Sequence, residues 1–286
     1  MKHMNQLRES LNRIDGKGYG AYKSLKDTYN FETFRLRIDY VQGDPFASPS
    51  QIIVSIPHDI AGFPEDTYRS EHGNSREVAL RDYLAREFNK HCKRVSKGNR
   101  GSGKSGKVSI DSPGQEILER TAVVIDEHEI EARFTVGLPA FGRKVAGKHA
   151  IDLFFKEIPE IVNQSLLFEN LDVNTIYRHV RTAEDSDVLR AKLDDEGLIA
   201  FIPEGAILPR ESGISQKPLD TSQAVPFTSP DSLKVQFDRP NNGVISGMGI
   251  PRGITLIVGG GYHGKSTILN ALELGIYDYI PGDGRE

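Results

Sequence analysis

The chain has 286 residues and a mass of 31.7 kDa, room for one or two domains with a sizeable core. Hydrophobic residues at 37% place it well above the disordered range, and a formal net charge of −4 excludes a uniformly basic coat while leaving a local basic patch open. The single cysteine, Cys92, excludes an internal disulfide and any cysteine-built zinc site, and points to a reducing compartment.

Met1 to Gln6 has no apolar stretch behind its charges, so no secretory signal is read there. No run approaches about 18 apolar residues, so no membrane-spanning helix is expected, and the default is a soluble cytoplasmic protein. Asn5–Ile14 has helical spacing of Leu7, Leu11 and Ile14, and Asp15–Gly20 breaks it. Phe34, Leu36, Ile38 and Tyr40 alternate as a strand, and Ile52–Ile56 reads as a second. Ser75–His91 reads as a helix buried along Val78, Leu80, Tyr83, Leu84 and Phe88. Lys90 to Lys107 then holds seven Lys/Arg and four Gly with no acid. Ala122–Ile125 and Ala132–Val136 form an expected strand pair across the turn Asp126–Glu129. Helices are expected over 147–169 and 173–193, the first kinked or split by Pro159. Five prolines fall in 203–230, which reads as a linker or arm. The fold class is α/β. The expected division is an N-terminal α/β domain over 1–205 with a basic Gly-rich loop at 90–107, a Pro-rich linker at 206–230, and the first part of a P-loop nucleotide-binding domain at 231–286.

Gly259-Gly260-Gly261-Tyr262-His263-Gly264-Lys265-Ser266-Thr267 fits G-x-x-x-x-G-K-[ST]. The apolar run Ile254–Val258 before it predicts a buried parallel strand, and Ser266–Leu274 after it predicts a helix closed by Gly275. In that order the glycines, Gly259, Gly261 and Gly264 among them, let backbone N–H groups curl around a polyphosphate at a helix N-terminus. Lys265 is then the expected catalytic cation on the β- and γ-phosphates of ATP, Ser266 the Mg²⁺ ligand, and Thr267 a backbone contact to the α-phosphate. His263 invites a catalytic reading, although a side chain at that point of such a loop is expected to face away from the phosphates.

Gly98-Asn99-Arg100-Gly101-Ser102-Gly103-Lys104-Ser105 satisfies the same pattern, but its context fails. Lys90–Lys97 cannot be a buried strand, and Val108-Ser109-Ile110 after it reads as a strand and not a helix. The expectation is a flexible basic loop. Arg69–Lys107 carries a local net charge of +7, which leaves −11 for the rest of the chain. That segregation makes Lys93, Arg94, Lys97, Arg100, Lys104 and Lys107 the candidate nucleic-acid contacts, with a solvated surface loop as the plain alternative.

From Ser229 onward the order of elements resembles the start of an ABC-type ATPase domain. Leu233–Phe237 and Gly243–Met248 read as edge strands, followed by Ile250–Gly253, the apolar run and the Lys-Ser-Thr loop. Tyr262 and His263 depart from transporter-type loops. Together with Tyr277–Glu286 they resemble the soluble family of predicted ATPases of the ABC class, a bacterial family with a kinetoplastid mitochondrial member associated with RNA editing. Gly18–Lys23, Asp44–Ser50, Gly101–Gly106, Val136–Ala140 and Ile207–Gly213 are similar to the same family, so the resemblance spans nearly the whole chain.

What the resemblance implies is a nucleotide-driven homodimer without a membrane segment, whose N-terminal domain handles RNA. The hydrolytic Asp and Glu, the signature loop and the switch histidine of ABC domains lie downstream of the P-loop, and 19 residues follow Thr267 here. The expectation is therefore an N-terminal half, ending just after the Walker A helix and inactive alone in ATP hydrolysis. Other readings stay open: an RNA-binding module with an inactive P-loop remnant, a phosphotransferase, or an ATP-binding scaffold without nucleic acid.

Overall fold

The computed structural model describes residues 2–286. The backbone gathers into two compact units. The first holds residues up to Pro64, Arg81–Ser112 and Arg120–Val173; the second holds Glu65–Leu80, Pro113–Glu119 and Asn174–Glu286. The fold class is mixed α/β, as the sequence predicts.

The first unit is built on a seven-stranded sheet. Its two longest strands, Ser50–Pro57 and Glu129–Val136, pair antiparallel along their full length, with Ile52 opposite Phe134 and Val54 opposite Ala132. Arg35–Tyr40 lies on the other side of Ser50–Pro57, and Val123–Ile125 and Val108–Ser109 both pair with Glu129–Val136. Leu36, Ile52, Val54, Ile56 and Ile130 are fully buried, the apolar half of a period-two pattern. The part of the helix Ser75–Val95 in this unit buries Leu84 and Phe88, and the Phe88 ring sits 4.9 Å from Phe134. The helix Met4–Ile14 packs its Leu7, Leu11 and Ile14 stripe inward. A Cβ on Gly147 would come within 2.7 Å of the Leu11 carbonyl, so only glycine lets the helix Gly147–Asp152 approach.

Pro159 does split its helix. Gly147–Asp152 runs into a π-helical turn, Leu153–Glu157, and a new helix Ile158–Leu166 starts with the proline in its first turn. The proline ring crowds the carbonyl four residues back and offers it no donor, and a widened turn relieves both problems.

In the second unit the long helix Val173–Lys192 precedes a three-stranded antiparallel sheet, Leu198–Pro203, Gly243–Pro251 and Lys234–Arg239. The core cluster Ile202, Ala206 and Leu208 receives Phe227, Met248, Ile268, Ala271 and Leu272. Residues 206–230, expected as a linker, lie within this unit and contain the hairpin Arg210–Ser212 with Ser215–Pro218. Two segments that carry the family resemblance meet here. Ile207 N–H donates to the Gly284 carbonyl at 2.8 Å, and Arg210 pairs with the fully buried Asp283 at 3.0 Å.

One expected strand is absent. Residues 254–258 pair with no strand among the described residues, and Leu256 and Val258 are 81% and 74% exposed. A parallel strand needs a neighbour on its edges to bury such a run, and none of the described strands takes that place.

Candidate functional site

The glycine loop after that run leads into the helix Lys265–Leu274. Gly264 sits in the left-handed region at φ 79°, where glycine costs nothing, and Tyr262 at φ 63° is one of two non-glycine residues with positive φ among the described residues. The first amides of the helix have no side-chain cap. Lys265 Nζ folds back and donates to the carbonyl of Gly259, at 2.8 Å, and to that of Gly260. A Cβ on Gly260 would meet the His263 imidazole at 3.0 Å, so that ring lies against the loop's own glycine. The loop itself is exposed. Gly259, Gly261, Gly264, Lys265, Ser266 and Thr267 thus sit together on one turn-to-helix junction. Uncapped N–H groups, a flexible cation and a hydroxyl are what such a junction offers an anion.

The second glycine loop is an ordered structure and not the flexible one expected. Arg100 N–H donates to Ser105 O, Ser102 N–H to Ala140 O, Lys104 N–H to Pro45 O, and Gly106 N–H to Gly137 O, all between 2.7 and 3.0 Å. Ser102 and Ser105 add side-chain bonds to Gly142 N–H and Ala140 N–H. Most of these acceptors are remote in sequence, which is why local composition read as flexibility. The loop's amides are engaged, and the strand Val108–Ser109 comes after it, so it does not form a phosphate cradle of the other loop's kind.

The six candidate cations separate. Lys93 and Arg94 end the helix Ser75–Val95, where cations suit the dipole. Lys97, Lys104 and Lys107 are exposed. Arg100 is not free: its guanidinium pairs with Glu157, a residue only 4% exposed, and also donates to the His149 carbonyl. Glu157 takes a second bond from Lys97 N–H at 3.4 Å.

Sequence reading missed the neighbours of this loop. The hairpin Ala140–Phe141 with Lys144–Val145 places Phe141 opposite Lys144, and Arg143 and Lys148 stand exposed beside them. Phe46 is exposed as well. No linear signal links residues at 46, 102 and 141. Among other titratable groups, burial pushes the Cys92 thiol up to about 12, so it is no nucleophile at neutral pH. Burial raises the Asp278 carboxyl to about 6 against the opposing pull of Arg190. No group of three metal-ligating side chains is found among the described residues, and no helix of theirs is long and apolar enough to cross a membrane.

Residues 4–169 match the family described as ATPase of the ABC class, N-terminal, and residues 172–286 match its P-loop domain. The second match begins well before the strand–loop–helix stretch, so the chain carries more of that domain than the reading of it as only an N-terminal half assigned. Over 140 residues the chain is 28% identical to the uncharacterized protein MJ1628 of Methanocaldococcus jannaschii, a match that covers 46% of this chain and 31% of that relative.

Proposed function

The chain belongs to the ABC-class ATPases, a family of P-loop nucleotide-binding proteins, and on that premise we propose that Gly259–Thr267 binds the polyphosphate of Mg-ATP and that the whole protein couples ATP binding and hydrolysis to the handling of RNA. The observation that carries the nucleotide part is the uncapped helix N-terminus with Lys265 held on loop carbonyls. When a polyphosphate enters, Lys265 Nζ exchanges those carbonyls for phosphate oxygens, and the free N–H groups close around them. The Ser266 hydroxyl is exposed and fits a Mg²⁺ ligand. That ion, when bound, neutralises charge on the terminal phosphates. A nucleotide-dependent homodimer belongs to the same reading and is checked by sedimentation with and without Mg-ATP.

Lys265→Ala should weaken Mg-ATP binding by roughly 1.5–3 kcal/mol, the scale of a hydrogen bond to a charged group. Equal calorimetric affinity of variant and parent would remove this site. A second reading rests on the exposed and unpaired run 254–258: the chain binds RNA while its P-loop holds no nucleotide. RNA binding by a parent that shows no heat with Mg-ATP would favour it.

A further inference from the structure

Phe46 and Phe141 are 67% and 58% exposed, and both border the stretch 101–104. A Cβ on Gly101 would run into the Ala140 carbonyl, next to Phe141. One on Gly103 would run into the Pro45 carbonyl and reach within 3.1 Å of the Phe46 ring. The stretch therefore sits directly against both phenylalanine-bearing segments. Gly142 N–H is bonded to Ser102 Oγ at 2.8 Å, and Tyr19 N–H and Val145 N–H donate to the carbonyls of Arg143 and Lys17. Those bonds, with that of Gly147 N–H to Asp15, bring Lys17, Lys104, Arg143, Lys144 and Lys148 into one neighbourhood, all exposed and none of them ion-paired among the described residues. Two acids share these segments, and both hold backbone amides: Asp15 accepts from Gly147, and Asp44 from Phe46 and Ala47. Some other cations of the unit are ion-paired, Lys2 with Asp27, Arg35 with Glu129 and Lys156 with Asp152.

We propose that this face binds single-stranded RNA, with bases stacked on Phe46 and Phe141 and phosphates on Lys104, Arg143 and Lys144. The proposal rests on the RNA reading above and gives it a site and a strand form. Exposed rings within an excess of unpaired cations match a polymer that is anionic along its backbone and flat-faced at its bases. A duplex keeps those faces stacked inside and offers phosphates, 2′-hydroxyls and groove edges instead. The docked loop holds both ring-bearing segments in place before the ligand arrives, because its amides are already bonded to Pro45, Gly137 and Ala140.

The test uses the full chain and a short fluorescent uridine oligonucleotide, single-stranded or annealed to its complement, followed by anisotropy over a range of salt. Single-stranded RNA should bind more tightly than duplex. Phe46→Ala with Phe141→Ala should weaken the single strand by roughly tenfold per ring, the scale of base–aromatic stacking, and leave the salt slope unchanged. Phe46→Tyr with Phe141→Tyr should retain binding. Lys104→Ala with Lys144→Ala should instead flatten the log–log salt slope by about 1.4, from roughly 0.7 per phosphate contact. If the parent binds the oligonucleotide and the double phenylalanine variant binds it equally, the stacking site is overturned while the RNA reading stands. Equal affinity of the parent for duplex overturns it as well. No binding of either form by the parent removes the RNA reading itself.

Discussion

Gly98–Ser105 and Gly259–Ser266 have the same residue pattern and opposite structures. In the first, the amides of Arg100, Ser102, Lys104 and Gly106 are bonded to carbonyls from four places in the chain, and the next element is a strand. In the second, the loop is exposed, its helix is uncapped, and its lysine rests on the loop's own carbonyls. Arg100 of the first loop answers a buried carboxylate, Glu157; Lys265 of the second answers only exposed oxygens. Glycines serve close packing in one and an exposed turn into a helix in the other. The pattern therefore does not decide the chemistry. Whether the loop leads into a strand or a helix decides whether its N–H groups are available.

The contrast breaks most sharply at Glu157. Its carboxylate and the Arg100 guanidinium are both nearly out of solvent. Glu157→Ala leaves Arg100 buried without its partner, a change that typically costs about 3–5 kcal/mol. Urea denaturation should show that loss, and a cost under about 1 kcal/mol would mean that solvent already reaches the pair. Gly101→Ala comes next. It adds a Cβ at φ 136° against the Ala140 carbonyl, so backbone strain and overlap act together, for a loss of about 2–3 kcal/mol. An unchanged denaturation midpoint would show that the loop is not docked as described.

The same division separates what was legible in the sequence from what was not. The helix Met4–Ile14, the paired strands around Asp126–Glu129 and the split at Pro159 all rest on local spacing, and each is found. The rejection of 98–105 as a phosphate loop rested on both flanks, the basic stretch before it and the strand after it, which are local too. The readings that failed depend on remote partners. The flexibility expected for 90–107 overlooked acceptors at Pro45, Gly137 and Ala140. Arg100 looked free because Glu157 is far along the chain and turned inward within a π-helical turn. The run 254–258 looked buried because apolar residues usually are, yet burial needs a neighbouring strand that spacing alone cannot supply. Phe46 and Phe141 gave no signal, since a lone exposed phenylalanine in a sequence is ordinary.

The smallest expected effect is the counterpart of the Gly101 substitution in the open loop. Gly261 has no positive φ, and a Cβ added there meets nothing within 4 Å. Gly261→Ala should thus change stability by no more than about 0.5 kcal/mol, the range of surface substitutions. The same methyl should still weaken Mg-ATP binding, because the proposed site needs the backbone at 261 to approach the phosphates closely. Gly101→Ala should do the reverse, lowering stability while leaving Mg-ATP affinity as it was. Calorimetry and urea denaturation on both variants separate the two roles of glycine. If both substitutions cost stability equally, Gly261 is as closely packed as Gly101 and the open loop is not open. If neither alters Mg-ATP affinity, the loop 259–264 does not hold the phosphates.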